Sequence, residues 1–192
     1  MPVTTRLRAA LYLLLLSLPA TTALAQTPPA EPPKPAGPPP QAPAGGTPEK
    51  IPFGTPYGAS LGLEQAERAL AAAQEEAVKR GWPMNIAVVD THGELLTFRR
   101  MDGAQLSSIG ISQNKARTAA RWRRESRVFF NLFAAGNSAT GTLDPDLAAS
   151  PGGIPIVVEG KLVGAIGCSG GTGDQDALIC KIGADALGGA KP

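Results

Sequence analysis

The placement of the prolines constrains this chain more than any other feature. Twelve of the 19 lie between Pro28 and Pro56. Proline lacks a backbone N–H and fixes φ, so a stretch of that density supplies neither central strands nor helix interiors to a core. Residues 26–53 therefore read as an extended, solvated tether of polyproline II character. The folded part of the 192-residue chain must begin near Gly54. A tether also fits a protein-interaction module held at the end of an arm, which stays open as one reading of the chain.

Upstream of the tether, Arg6 and Arg8 precede an apolar run over residues 9–18, and Ala23-Leu24-Ala25 then places small residues two apart before Gln26. This is the pattern of a secretory signal peptide over residues 1–25. The run is about half the roughly 20 residues that span a bilayer, and Pro19 follows it, so no stable membrane anchor is expected. The mature protein is expected to be periplasmic or secreted, where disulfides persist. The formal charge of +2 equals Arg6 plus Arg8, because the chain has 18 basic and 16 acidic residues and the first 25 hold no acid. A neutral remainder disfavours a nucleic-acid partner.

Residues 54–192 carry the pattern of one folded domain. Over 61–80 an Ala- and Glu-rich stretch places apolar residues at 63, 66, 70, 73 and 77 and stops at Gly81, predicting an amphipathic helix. Residues 86–89 and 95–98 are β-rich runs joined by Asp90-Thr91-His92-Gly93-Glu94, a hairpin whose turn can use a positive φ at Gly93. A helix is predicted from Ser108 to about Arg124, then a less regular stretch containing Val128, Phe129, Phe130, Leu132 and Phe133. Residues 154–158 and 162–166 form a second hairpin, and a last helix is predicted over 176–187. A short strand near Tyr57 would precede them all. The order predicts an α+β domain: an antiparallel sheet with flanking helices, in two or three layers. Its length buries a core without metal.

Four segments occur in a telling order. They are Ile86-Ala87-Val88-Val89-Asp90 with Gly93, Arg100-Met101-Asp102-Gly103-Ala104, Lys115-Ala116-Arg117-Thr118-Ala119, and Gly152-Gly153-Ile154-Pro155-Ile156 leading to Gly164-Ala165-Ile166-Gly167-Cys168-Ser169-Gly170-Gly171. Together they resemble the haem-binding GlcG/HbpS family, whose relatives also occur as the C-terminal domain of PduO-type corrinoid proteins. The resemblance covers residues 61–187. It implies a sheet of about five strands, assembly into homo-oligomers such as dimers or octamers, and haem as a ligand that some members bind or degrade. The family's association with glycolate metabolism supplies the alternative, an enzyme or accessory protein acting on a small carboxylate. No nucleophile paired with a base is visible, so a binding protein is the expected class.

His92 is the one histidine, which excludes multi-histidine zinc sites within a subunit. Its turn exposes the imidazole, which then ligates haem iron or another metal, or is only a polar turn residue. Lys115, Arg117, Arg121, Arg123 and Arg124 fall within ten residues with no acid among them, and 117, 121 and 124 share a helical face. Lys115, Arg117 and Arg121 are expected beside haem propionates or another small anion; a solvated face, or one paired with the acidic segment 144–185 of a neighbouring subunit, is the plain alternative. The resemblance makes the Thr118 hydroxyl a candidate contact to iron, against a helix threonine bonded back one turn. Arg100 is expected on an anion-binding rim, or beside a turn at Asp102.

The glycine-rich turn over 167–173 lacks the Walker A and dinucleotide patterns. Its N–H groups converge beside the last helix, where a carboxylate would dock or Thr172 would simply cap. Gly152 and Gly153 permit close approach of a ligand, or mark the start of a strand. Cys168 and Cys180 read as a structural disulfide, which chain entropy values at roughly 3 kcal/mol for such a loop. A thiolate ligand or redox pair is the sharper alternative. The family's turn usually has an aliphatic residue at the position of Cys168.

Overall fold

The computed structural model describes residues 54–188; the expected signal peptide and tether lie outside them. In chain order come α1 (Leu63–Arg80), β1 (Asn85–Val89), β2 (Leu95–Arg100), α2 (Ser108–Trp122), α3 (Arg127–Ala134), a 3-10 turn (Ser138–Thr142), β3 (Gly153–Val158), β4 (Lys161–Ser169) and α4 (Gly173–Gly188). The strands form one antiparallel sheet in the order β2-β1-β4-β3. The α+β architecture is as the sequence implies, with four strands instead of about five.

The missing strand has a local cause. Tyr57 makes only an isolated parallel bridge to Leu162, and the neighbouring Pro56 has no N–H with which to extend a ladder. Leu162 N–H donates to Pro56 O (2.8 Å), Gly58 N–H to Leu162 O (2.7 Å) and Leu61 N–H to Val163 O (2.9 Å). Residues 56–61 thus cover the flank of β4 beyond the last β1 pair, Val89 with Ala165.

β1 is buried at all five positions because both faces of the sheet are covered. Ile86, Val88, Ile154, Ile156, Ile166 and Cys168 pack against α1 and α4, whereas Ala87, Val89 and Ala165 pack against α2. The layers are therefore α2, sheet, and α1 with α4. On the α2 side the floor is made of small residues. Gly153 and Gly167 are paired across β3 and β4. A Cβ on Gly167 would lie 2.0 Å from Ser112 O, and one on Gly153 would lie 2.1 Å from Lys115 O. These glycines seat the helix directly on the strand backbones; the space they leave is filled by α2 and not by a ligand.

Two helices depart from expectation. The stretch at 127–134 is helical although its aromatic and β-branched residues are poor helix formers; burial of Phe129, edge-on to Trp122 at 5.1 Å between centroids, supports it. α4 starts at Gly173, three residues early. Thr172 Oγ1 accepts the Gln175 N–H (3.3 Å) and Gln175 Oε1 accepts the Thr172 N–H (2.8 Å), a reciprocal cap that satisfies two otherwise open donors.

A disulfide joins Cys168 at the end of β4 to Cys180 in α4, with Cα atoms 5.6 Å apart. Reduction, or Cys168→Ser, is expected to remove roughly 3 kcal/mol of stability. Urea denaturation with and without reductant measures it; coincident curves would contradict a bridge.

Candidate functional site

The site forms where the β1–β2 turn, the C-terminal end of α2 and residues 57–58 meet. Asp90 Oδ1 accepts the N–H groups of His92 (2.8 Å) and Glu94 (2.9 Å), the side-chain turn that aspartate favours. Gly93 sits at φ +87°, a conformation that side chains rarely adopt. Arg121, from the last turn of α2, donates from Nε to His92 O (2.9 Å) and pairs with Glu94 (3.6 Å) and Asp146 (3.5 Å). Tyr57 OH donates to Arg121 O (2.9 Å), and its second contact is to Ala120 O (3.3 Å). Tyr57, Gly58, Thr91, His92 and Arg121 line a surface groove of about 460 Å³, within the range of small-molecule sites.

His92 lines this groove with its side chain 82% exposed. Asp90 Oδ2 (3.7 Å) and Thr91 Oγ1 (3.4 Å) both lie on the Nδ1 side. Thr91 is held in turn by Ser60 (2.6 Å). Nε2 is the nitrogen these contacts leave to an incoming ligand.

The other expected residues divide. Arg117 lies beside the turn: its NH1 donates to the neutral Asn114 Oδ1 (3.1 Å), and its stem is within 3.4 Å of a Cβ built on Gly93. Arg121 is in the groove but already serves two carboxylates. Arg100 lies at the far end of β2, opposite Asn85, roughly 17 Å along the strand from Leu95 at ~3.4 Å per residue. It does not join this site. Thr118 is buried, and its Oγ1 accepts the Ala148 N–H (2.9 Å), so its hydroxyl closes a loop onto α2 and does not reach an iron at the surface.

Lys115 is the largest correction. Instead of facing an anion at the surface it is buried, with Nζ 2.7 Å from Asp176 Oδ2 and 3.2 Å from Cys168 O. The side chains of the ion pair are 2% and 3% exposed. Asp176 Oδ1 accepts the N–H groups of Gly170 (3.1 Å) and Gly171 (3.0 Å). The glycine turn thus does bind a carboxylate, but the carboxylate is the protein's own.

The arginine-rich helix is also less free than its sequence implies. α2 ends at Trp122, and Arg123 turns left-handed at φ 53°, so Arg124 falls outside the helical face. Its guanidinium packs over Trp122 (5.8 Å) and Phe129 (5.3 Å). Burial, and secondly the adjacent Arg123 charge, lower its pKa from the usual guanidinium value. Asp144 accepts from the Trp122 indole (3.4 Å) and Asp146 from Arg121, so the acidic segment meets the basic helix within one chain. Among the described residues no group of three or more His, Cys, Asp or Glu is placed to hold a metal ion.

Tyr57, Thr91 and Asp176 were not singled out by their sequence signals. Tyr57 follows the proline-rich segment in a stretch without periodicity, and only the three-dimensional pairing of residues 115 and 176 reveals the acid's role.

Residues 61–185 match the family model described as haem degrading protein, HbpS-like. Protein GlcG of Escherichia coli (strain K12) is 44% identical over 109 residues, covering 57% of this chain and 81% of GlcG. The crystal structure of HbpS superposes with a TM-score of 0.63 at 33% identity, covering 68% of this chain and 92% of HbpS. The crystal structure of a PduOC:heme complex gives 0.62 at 26% identity, covering 67% and 95%.

Proposed function

We propose, from the premise that the chain belongs to the HbpS-like family described as haem-degrading, that it binds haem reversibly in the groove beside His92. The observation that carries this reading is the groove itself, which gathers the one histidine of the chain, an arginine and an exposed tyrosine. The residues fit the group. His92 would offer Nε2 to the iron. Arg117, bonded to an amide and to no carboxylate among the described residues, would meet a propionate. Arg121 would hold the turn. A bound haem would supply a redox-active iron whose behaviour is set by axial ligand and surroundings; the chain's contribution is orientation and charge.

An open surface groove with one imidazole suits labile binding, hence sequestration or sensing in preference to turnover. Export belongs to the same proposal, supported by the pattern of residues 1–25 and by the disulfide. Homo-oligomer assembly is a further part, supported by the family resemblance. The small-carboxylate alternative is weakened because Arg121, the cation nearest the groove, already pairs with Glu94 and Asp146.

Adding hemin to the mature protein at micromolar concentration should give a saturable Soret change. Thr118→Val should leave the band position and affinity unchanged while costing about 1–3 kcal/mol of stability, because the Ala148 N–H loses its acceptor. Absence of a saturable change would overturn the haem reading, and a shifted band in Thr118→Val would return Thr118 to the iron.

A further inference from the structure

We propose that residues 55–58, which follow the proline-rich segment, form one wall of the haem site, with Tyr57 stacking on the bound porphyrin, so that ligand binding and docking of these residues are coupled. The inference rests on the haem reading of the groove and assigns it a residue and a regulation.

Tyr57 is held from several sides yet remains 46% exposed. Its hydroxyl bonds to the carbonyl end of α2, and the Arg123 guanidinium lies over its ring at 5.2 Å. Arg123 also donates from NH1 to Thr55 O (3.2 Å). Pro56 O and Gly58 N–H both bond to Leu162. The ring therefore stands fixed at the groove it shares with Thr91, His92 and Arg121. An aromatic side chain that is already ordered and still exposed offers a large contact area at little entropic cost.

Arg123 strengthens the case. A non-glycine residue at φ 53° sits in a sparsely populated region, a conformation retained where the surroundings over-determine it. Its backbone N–H caps α2 on Ala120 O (3.3 Å), and its side chain contacts the carbonyl of Thr55 and the ring of Tyr57. A ligand that touches Tyr57 only when residues 55–58 are docked must favour the docked state. By linkage, releasing those residues must weaken the ligand by the same factor.

The test compares hemin affinity of the mature chain with that of Tyr57→Ala and Arg123→Asn, asparagine being tolerant of the left-handed conformation. Circular dichroism checks that each variant folds. Tyr57→Ala should bind about tenfold more weakly, and Arg123→Asn, which lies outside the groove lining, about threefold more weakly by loosening residues 55–58. In the same samples, trypsin cleavage after Lys50 should slow severalfold when hemin is added to the wild type and should not slow in Tyr57→Ala. Wild-type binding with unchanged affinity in Tyr57→Ala, or cleavage after Lys50 indifferent to hemin, would overturn the coupling and leave the haem reading standing. No Soret change in the wild type would overturn both.

Discussion

Lys115→Met is expected to destabilise the domain by about 3–5 kcal/mol, the usual effect of breaking a buried ion pair from one side. The change leaves Asp176 with two backbone donors but no counter-charge in a site where both side chains are almost wholly enclosed. Adding Asp176→Asn should recover much of the loss. Asparagine keeps an oxygen for the Gly170 and Gly171 N–H groups and removes the stranded charge. Lys115→Met/Asp176→Ala should not recover it, because the two N–H groups then lose their acceptor. Urea denaturation of the three variants measures these differences. A Lys115→Met variant within about 1 kcal/mol of wild type, less than the smallest expected effect of such a deletion, would mean that the pair does not hold α2, β4 and α4 together.

Gly167→Ala is expected to cost upwards of about 3 kcal/mol, beyond the common range for overpacking, because the obstacle is helix backbone. The added Cβ would meet Ser112 O at 2.0 Å and Ala116 N at 2.6 Å, and only a shift of α2 away from the sheet relieves it. Gly110→Ala is the control in the same helix. A Cβ there meets nothing within 4 Å, so it should stabilise by roughly 0.5–1 kcal/mol. The two substitutions should move thermal midpoints in opposite directions. Since α2 carries Arg121, which brackets His92, any Gly167→Ala protein that still folds should also bind hemin more weakly.

Much of this was legible because local patterns dominated. β-rich runs flanked by turn residues located both hairpins, and the Ala-rich spacing before Gly81 located α1. The sequence pattern at 86–93 also placed His92 on an exposed turn. What it could not reveal was the interior of α2. Lys115 and Arg117 look alike in a basic run, yet one points through the small-residue floor to Asp176, 61 positions away, and the other stays near the surface. Thr118 is separated from its partner Ala148 by 30 positions, which local periodicity does not encode. The strand anticipated at Tyr57 is reduced to an isolated bridge for a nearby reason, since Pro56 has no N–H with which to extend a ladder.

The most direct measurement of the central claim is a hemin titration of wild type against His92→Ala, read by Soret position and by affinity. The imidazole is exposed and its neighbours Asp90 and Thr91 remain in place, so folding should be unaffected. The account predicts saturable wild-type binding at micromolar concentration, with a displaced Soret band and at least tenfold weaker binding in His92→Ala, a loss of about 1.4 kcal/mol or more. Identical spectra and affinities for the two proteins would contradict it, placing the haem somewhere other than the groove beside His92.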